Sequence, residues 1–140
     1  MSRLTLHVDY DFNFELIAII SSLRDYRLCW HINRNLRLDL SRKPDLEITN
    51  VKKRIQAYFP FYTHEDEINF LKYYFIGNKS AGTCLIPEIK EADYFLMLRG
   101  DAAGDFKIEL LRQLRPLDCI EAAFEADVLR IRSKQNLIFD

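Results

Sequence analysis

The sequence that decides the fold reads Leu16-Ile17-Ala18-Ile19-Ile20-Ser21-Ser22-Leu23-Arg24-Asp25. Its first half is a continuous apolar run rich in β-branched residues, which predicts a short strand buried on both faces. Ser22 and Asp25 form an acidic variant of the capping box, which predicts the start of a helix. A buried strand followed directly by a helix is therefore expected here.

The residues on either side extend this unit. Residues 4–14 alternate between apolar and polar side chains, so an extended segment with one buried face is expected before the strand. After Asp25, apolar residues recur at helical spacing and predict a helix that fades near residues 35–38, with a core stripe of Leu28, Cys29, Ile32 and Leu36. The pattern of residues 39–50 predicts no element.

A second unit of the same kind follows in the C-terminal half. Residues 94–98 are another apolar run typical of a buried strand, and an amphipathic helix is expected from Phe106 to Arg115, where Pro116 stops it. The pattern of residues 119–124 predicts a further strand. The tail, residues 128–139, is expected to pack across the domain as a short helix.

An aromatic β-hairpin is expected between the two units, with strands at 54–62 and 68–77 around the polar segment 63–67. Pairing residue 63 with residue 68 puts one set of side chains on the core face: Ile55, Ala57, Phe59, Phe61, Phe70, Tyr74 and Ile76. The other set is then expected to face outward, and it comprises Gln56, Tyr58, Pro60, Tyr62, Leu71, Tyr73 and Phe75.

Together these elements predict a single α+β domain over residues 1–140. We expect an antiparallel sheet with two helices on one face, in a ferredoxin-like or ACT-like order. The other face of such a sheet needs a cover, a partner or a ligand.

Composition favours a folded domain that needs no membrane or disulfide. Hydrophobic residues make up 49% of the 140 residues and charged residues 29%. The longest strongly apolar run is too short to cross a bilayer and the N-terminus lacks a signal-peptide pattern, so a cytoplasmic location is expected. Cys29, Cys84 and Cys119 show no metal-binding or disulfide spacing and are interpreted as small buried hydrophobic residues.

Charge is unevenly placed, although the net charge is only −1. Residues 24–54 are rich in Lys and Arg, which predicts either solvated faces or a surface for an anionic partner. A nucleic-acid-associated protein using this stretch is thus an alternative function. The overall charge and the lack of an RNA-recognition-motif consensus argue against it.

No motif in the sequence identifies a reaction that the protein catalyses. The sequence has neither a dinucleotide-binding nor a P-loop pattern, and His64-Glu65-Asp66-Glu67 is interpreted as a solvated turn. His7 and His31 have no partner acid or nucleophile that the sequence reveals. We therefore expect no catalysis, no cofactor and no metal, and an enzyme of unrecognised type is the second alternative.

The segment Ile86-Pro87-Glu88-Ile89-Lys90-Glu91-Ala92-Asp93-Tyr94 resembles the signature of the bacterial IPExxxVDY family, with Ala92 in place of its Val. The resemblance extends to residues 25–30, 73–76 and 133–139. That family has no assigned function, so the resemblance implies a whole-chain domain and carries over no catalytic or binding residue.

Two interpretations of this segment remain open. Pro87 and Asp93 fit a rigid turn that leads into the strand at Tyr94, with Asp93 bonding nearby backbone N–H groups. Alternatively, Glu88 and Asp93 form a small-molecule niche with a basic residue, Lys79 or Arg99.

The expected function is that of a non-catalytic domain that forms a homodimer. Its predicted interface is the outward face of the hairpin, through Tyr58, Tyr62, Tyr73 and Phe75, because aromatic residues with a polar tip are typical of interfaces. A small ligand bound at that interface, in the manner of ACT regulatory domains, completes the hypothesis.

Overall fold

The computed structural model describes residues 14–50, 54–137 and 139. Most of the extended segment predicted at 4–14, including His7, lies outside these residues. Among the described residues, no helix is long and apolar enough to span a membrane.

The described elements form an α+β fold built on one large antiparallel sheet, as predicted. Six strands lie in the order β2-β3-β4-β7-β1-β8, and β5 and β6 form a separate small ribbon. The elements in chain order are β1 (Glu15–Ile20), α1 (Asp25–Leu36), β2 (Ser41–Asn50), β3 (Ile55–Asp66), β4 (Leu71–Gly77), β5 (Lys79–Ser80), β6 (Thr83–Cys84), a 3-10 turn (Pro87–Ile89), β7 (Tyr94–Arg99), α2 (Ala103–Leu114), β8 (Ala122–Ala126) and two further 3-10 segments (Val128–Arg130 and Arg132–Leu137).

The centre of the sheet follows the ferredoxin-like order. Strand β1 lies between β7 and β8, and β4 pairs with the other side of β7, all antiparallel. The series β1-α1-β4-β7-α2-β8 is therefore the strand-helix-strand-strand-helix-strand pattern of that fold. Strands β2 and β3 widen the sheet beyond β4, so the unassigned stretch 39–50 is the edge strand β2.

Both helices cover the same face of the sheet. The α1 stripe of Leu28, Cys29, Ile32 and Leu36 is buried, as predicted, and α2 contributes Leu110, Leu111 and Leu114 to the same core. The predicted capping box is wrong, because Arg24 is the N-cap residue and no side chain caps the helix. Ser21 Oγ instead accepts a hydrogen bond from the Leu23 N–H, at 3.2 Å.

The second face is covered by the chain itself. Leu85 and Ile86, which precede β7, and Ile131 and Leu137 of the tail are buried against strand residues such as Phe59 and Phe95. The tail packs across the domain, as predicted. Most of the face that was expected to need a cover, a partner or a ligand is thus covered by the chain itself.

The prediction for the hairpin is correct about which strand residues share a face but wrong about which face is exposed. Strand β3 runs to Asp66, so Thr63 pairs with Tyr74 rather than with residue 68. This displacement is an even number of residues, so the residues within the strands keep their predicted faces. Phe70, which was expected on the core face, instead lies in the turn before β4 and is 84% exposed. However, the face expected outside lies under the helices. Tyr62, Tyr73 and Phe75 are only 6%, 2% and 0% exposed, whereas Tyr58 is 48% exposed.

Candidate functional site

Of the four residues predicted to form a ligand niche, the structure brings Lys79 and Asp93 together. Lys79 Nζ lies 2.9 Å from Asp93 Oδ1, and Asp93 Oδ2 accepts a hydrogen bond from the Ser21 N–H at 2.9 Å. Ser21 in turn donates its hydroxyl to the Cys119 carbonyl at 2.6 Å. Asp93 thus joins the start of β7 to the loop after β1, which is the bracing role that the turn interpretation predicts.

Glu88 and Arg99 are not among the residues that line the cleft beside Lys79 and Asp93. The Glu88 carboxylate accepts a hydrogen bond from Ser133 Oγ at 3.1 Å, which links it to the C-terminal tail. Arg99 is at the far end of β7, roughly 17 Å from Tyr94 at the usual rise of a strand. The four residues therefore do not form one ligand niche.

The segment around Pro87 is held instead by Asn78, for which the sequence pattern predicted no role. Asn78 is completely buried. Its Nδ2 donates to the carbonyls of Ile89 and Ala92, at 3.1 and 2.9 Å, and its Oδ1 accepts from the Ile86 N–H at 2.8 Å. These bonds indicate that residues 86–93 are a structural element.

Cys29 and Cys119 are poorly suited to nucleophilic chemistry. Burial, with the nearby Asp25 carboxylate adding to it, raises the pKa of the Cys29 thiol to about 12. Burial also raises the pKa of Cys119. Because the thiolate is the reactive form, neither is activated at neutral pH. Over the described ranges, no group of three or more His, Cys, Asp or Glu side chains is placed to hold a metal ion.

A small groove lies on the second face of the sheet, where the covering by residues 85–86 and the tail ends. Its walls come from β2, β3, β4 and the tail, and it encloses about 300 Å³. We call it the aromatic groove, and it is lined by Lys43, Pro44, Phe61, Thr63, Lys72, Tyr74 and Phe139.

Three aromatic rings form the apolar part of the groove. Phe61 stacks on Tyr74 with ring centroids 6.0 Å apart, and Phe139 meets both rings at 5.0 and 5.1 Å. Lys72 Nζ lies 5.4 Å from the Tyr74 centroid and 3.8 Å from Glu65 Oε1. Lys43, on the exposed edge strand β2, contributes a second ammonium group to the lining. Among the described residues, the lining thus combines aromatic surface with two ammonium groups and includes no carboxylate.

A larger cleft of about 660 Å³ lies beside the β3–β4 turn and is a weaker candidate. Its walls mix Glu65, Asp66 and Glu67 with Lys72 and Arg99. Asp66 already serves the turn, because its side chain accepts hydrogen bonds from the Asn69 side chain and from the N–H groups of Ile68 and Asn69. The bonds from Asn69 are the main reason that the Asp66 pKa is lowered.

Part of the aromatic groove could be predicted from the sequence. Strand alternation placed Phe61 and Tyr74 on one face, as found, but nothing in the sequence placed Phe139 or Lys43 beside them. No protein-family profile matches the chain, and no curated protein matches it either. The resemblance of residues 86–94 to the IPExxxVDY family therefore stays a prediction.

Proposed function

We propose that this chain is a non-catalytic binding domain whose aromatic groove takes a small planar anion, of the class of aromatic carboxylates. The observation that carries the proposal is the joining of three aromatic rings and two lysines, Lys43 and Lys72, in one groove whose described lining residues include no carboxylate, although Lys72 also pairs with Glu65 beside it. Ligand pockets are typically apolar with a few polar groups that orient the ligand.

The size and charge of the groove narrow the ligand class. A volume of about 300 Å³ is at the lower end of the range for ligand pockets, which favours a molecule of one or two rings over a nucleotide. The rings offer stacking and edge contacts to a planar molecule. The lysines offer charge-assisted hydrogen bonds to a carboxylate.

The lining supports binding without conversion. The residues that the structure describes around the groove include no carboxylate, imidazole or thiol, which are the groups that most often serve as acids, bases or nucleophiles.

The proposal also replaces the ligand site expected between two copies. Tyr62, Tyr73 and Phe75 are buried inside one chain and have no surface to offer a second copy. The aromatic groove, in contrast, is built within one chain and needs no dimer.

The two lysines provide the test. We expect 2-naphthoate to bind the wild-type chain, and Lys43→Ala or Lys72→Ala to weaken binding about tenfold each, as lost charge-assisted hydrogen bonds predict. Isothermal titration calorimetry measures the affinity. Lys79→Ala is the matched control, because Lys79 pairs with Asp93 away from the groove and its loss should leave the affinity unchanged.

A neutral isostere separates charge recognition from apolar adsorption. We expect 2-naphthamide to bind about tenfold more weakly than 2-naphthoate, since it lacks the anion that the lysines meet. Equal affinities for the two compounds, or equal losses in Lys43→Ala and Lys79→Ala, would refute a site for anions in the aromatic groove. So would a failure of 2-naphthoate to bind at millimolar concentration.

A further inference from the structure

The outer face of α1 presents two large aromatic side chains to solvent. Tyr26 is 61% exposed and Trp30 is 56% exposed. They stand one helical turn apart, and Arg34 continues the same row. We call the exposed set the arginine–aromatic face, and it comprises Tyr26, Arg27, Trp30, Arg34 and Arg37.

Packing of the fold does not account for these rings. The helix is anchored by its opposite stripe, which includes Leu28 and Ile32, so the rings add nothing to the core. The Arg34 guanidinium lies 5.3 Å from the Trp30 ring centroid, and the His31 ring meets Trp30 edge-on at 5.0 Å. Trp30 is thus supported on the surface, which lowers the entropy that a binding event would cost. Trp, Tyr and Arg are the residues most enriched at binding hot spots.

The charge of this face points to an anionic partner. Within the described ranges, Arg27, Arg34 and Arg37 form no ion pair with a carboxylate. Asp25, the acid in the first turn of α1, accepts a hydrogen bond from the buried Tyr62 at 2.6 Å. A second copy of the chain would set these arginines against themselves in a two-fold contact, so self-association is disfavoured here.

We propose that the arginine–aromatic face binds single-stranded nucleic acid. An acidic peptide would satisfy the arginines and leave both rings in water. A single strand satisfies both kinds of group, because its bases stack on aromatic rings while its phosphates meet guanidinium groups. A duplex is a poorer fit, since its base faces are hidden within the stack. Tyr26 and Trp30, about 6 Å apart along the helix, then serve neighbouring nucleotides.

Trp30 is the only tryptophan of the chain, so its fluorescence reports on this face alone. We expect a short oligothymidylate to quench that fluorescence at low salt. Each phosphate contact contributes about −0.7 to the slope of log K against log salt, so Arg27→Ala and Arg34→Ala should each flatten the slope by about 0.7. Arg112→Ala, an exposed arginine on α2, is the matched control and should leave the slope unchanged.

The contribution of stacking is measured with a labelled oligothymidylate and fluorescence anisotropy. Trp30→Ala should weaken binding about tenfold, in line with the loss of one stacked base. Far-UV circular dichroism and the thermal midpoint should stay at wild-type values in every variant, because the altered side chains are exposed. These readouts do not involve the aromatic groove, so the two proposals fail or stand separately.

Three results would overturn the inference. The first is quenching by polyglutamate but not by oligothymidylate, which would assign the face to an acidic protein. The second is an equal loss of binding in Arg112→Ala and Arg34→Ala, which would reduce the effect to total charge. The third is the absence of quenching by oligothymidylate even at low ionic strength.

Discussion

Asn78→Ala is expected to lower the free energy of unfolding by about 3 kcal/mol, because it removes three hydrogen bonds to backbone groups, although one of these groups, the Ile89 carbonyl, still accepts a bond from the Ala92 N–H. Those groups are the Ile86 N–H and the carbonyls of Ile89 and Ala92. All three belong to the segment that leads into β7, a central strand of the sheet. Urea denaturation at neutral pH measures the change.

Asn78→Asp separates the hydrogen bonds from the volume of the side chain. Aspartate is nearly the same size, but it places an oxygen where Nδ2 donated to two carbonyls, so we expect a loss at least as large as that of Asn78→Ala. Asn35→Ala is the control, because Asn35 is exposed and bonds only the His31 carbonyl in the described part of the chain. A stability of Asn78→Asp equal to wild type would show that these bonds do not hold the segment.

The two strand-helix units could be predicted because their signals are local. The apolar run at residues 16–20 lies within β1, and the helical stripe from Leu28 to Leu36 lies on the buried side of α1. The second unit follows the same rule, although α2 begins at Ala103, before the expected Phe106. In each unit the period of the apolar residues matches the element that buries them.

The edge strand β2 could not be predicted because it buries little. Its residues are mostly exposed, and a register shift between Lys43 and Leu46 interrupts the alternation. Pro44 lies at that irregularity, where a missing N–H breaks no ladder bond. An exposed and interrupted strand leaves no period in the sequence, although it supplies Lys43 to the aromatic groove.

The sites depended on contacts between distant segments. Alternation assigned Tyr73 and Phe75 to one face of the hairpin, but it could not show that α1 and α2 cover this face. The aromatic groove likewise exists only because Phe139 of the tail meets Phe61 and Tyr74. Local periodicity carries no information on which layer a distant segment adds.

Lys107→Met is expected to cost about 2 kcal/mol at pH 7, less than a fully buried pair because both carboxylate partners are partly exposed. Lys107 is 9% exposed, and its ammonium group lies 2.5 Å from Glu15 Oε1 on β1 and also contacts Glu125 on β8. Methionine keeps most of the volume but leaves the two carboxylates on neighbouring strands without a cation. Urea denaturation of both proteins gives the difference.

The pH dependence of this difference identifies its cause. In the variant, the two carboxylates repel each other without a cation between them, so acidification toward pH 4, which neutralises carboxylates, should relieve the loss. In the wild type, burial alone would lower the pKa of Lys107, but the hydrogen bonds with Glu125 and Glu15 outweigh it and raise the pKa above its ordinary 10.5. That stabilising contribution is therefore complete below pH 10.5 and is lost as the pH rises through the folded-state value. The cost of Lys107→Met should consequently be greatest between these limits.

Adding Glu125→Gln to the Lys107→Met variant tests whether repulsion between the two carboxylates causes the loss. Removing one of the two facing charges should restore about 1 kcal/mol at pH 7, because the repulsion then disappears. Lys79→Met, which loses a more exposed pair with Asp93, serves as the control and should cost less than about 0.5 kcal/mol. A loss in Lys107→Met that stays constant from pH 7 to pH 4, with no recovery from Glu125→Gln, would mean that Lys107 acts through the packing of its stem. In that case its charge would not be what holds β1, β8 and α2 together.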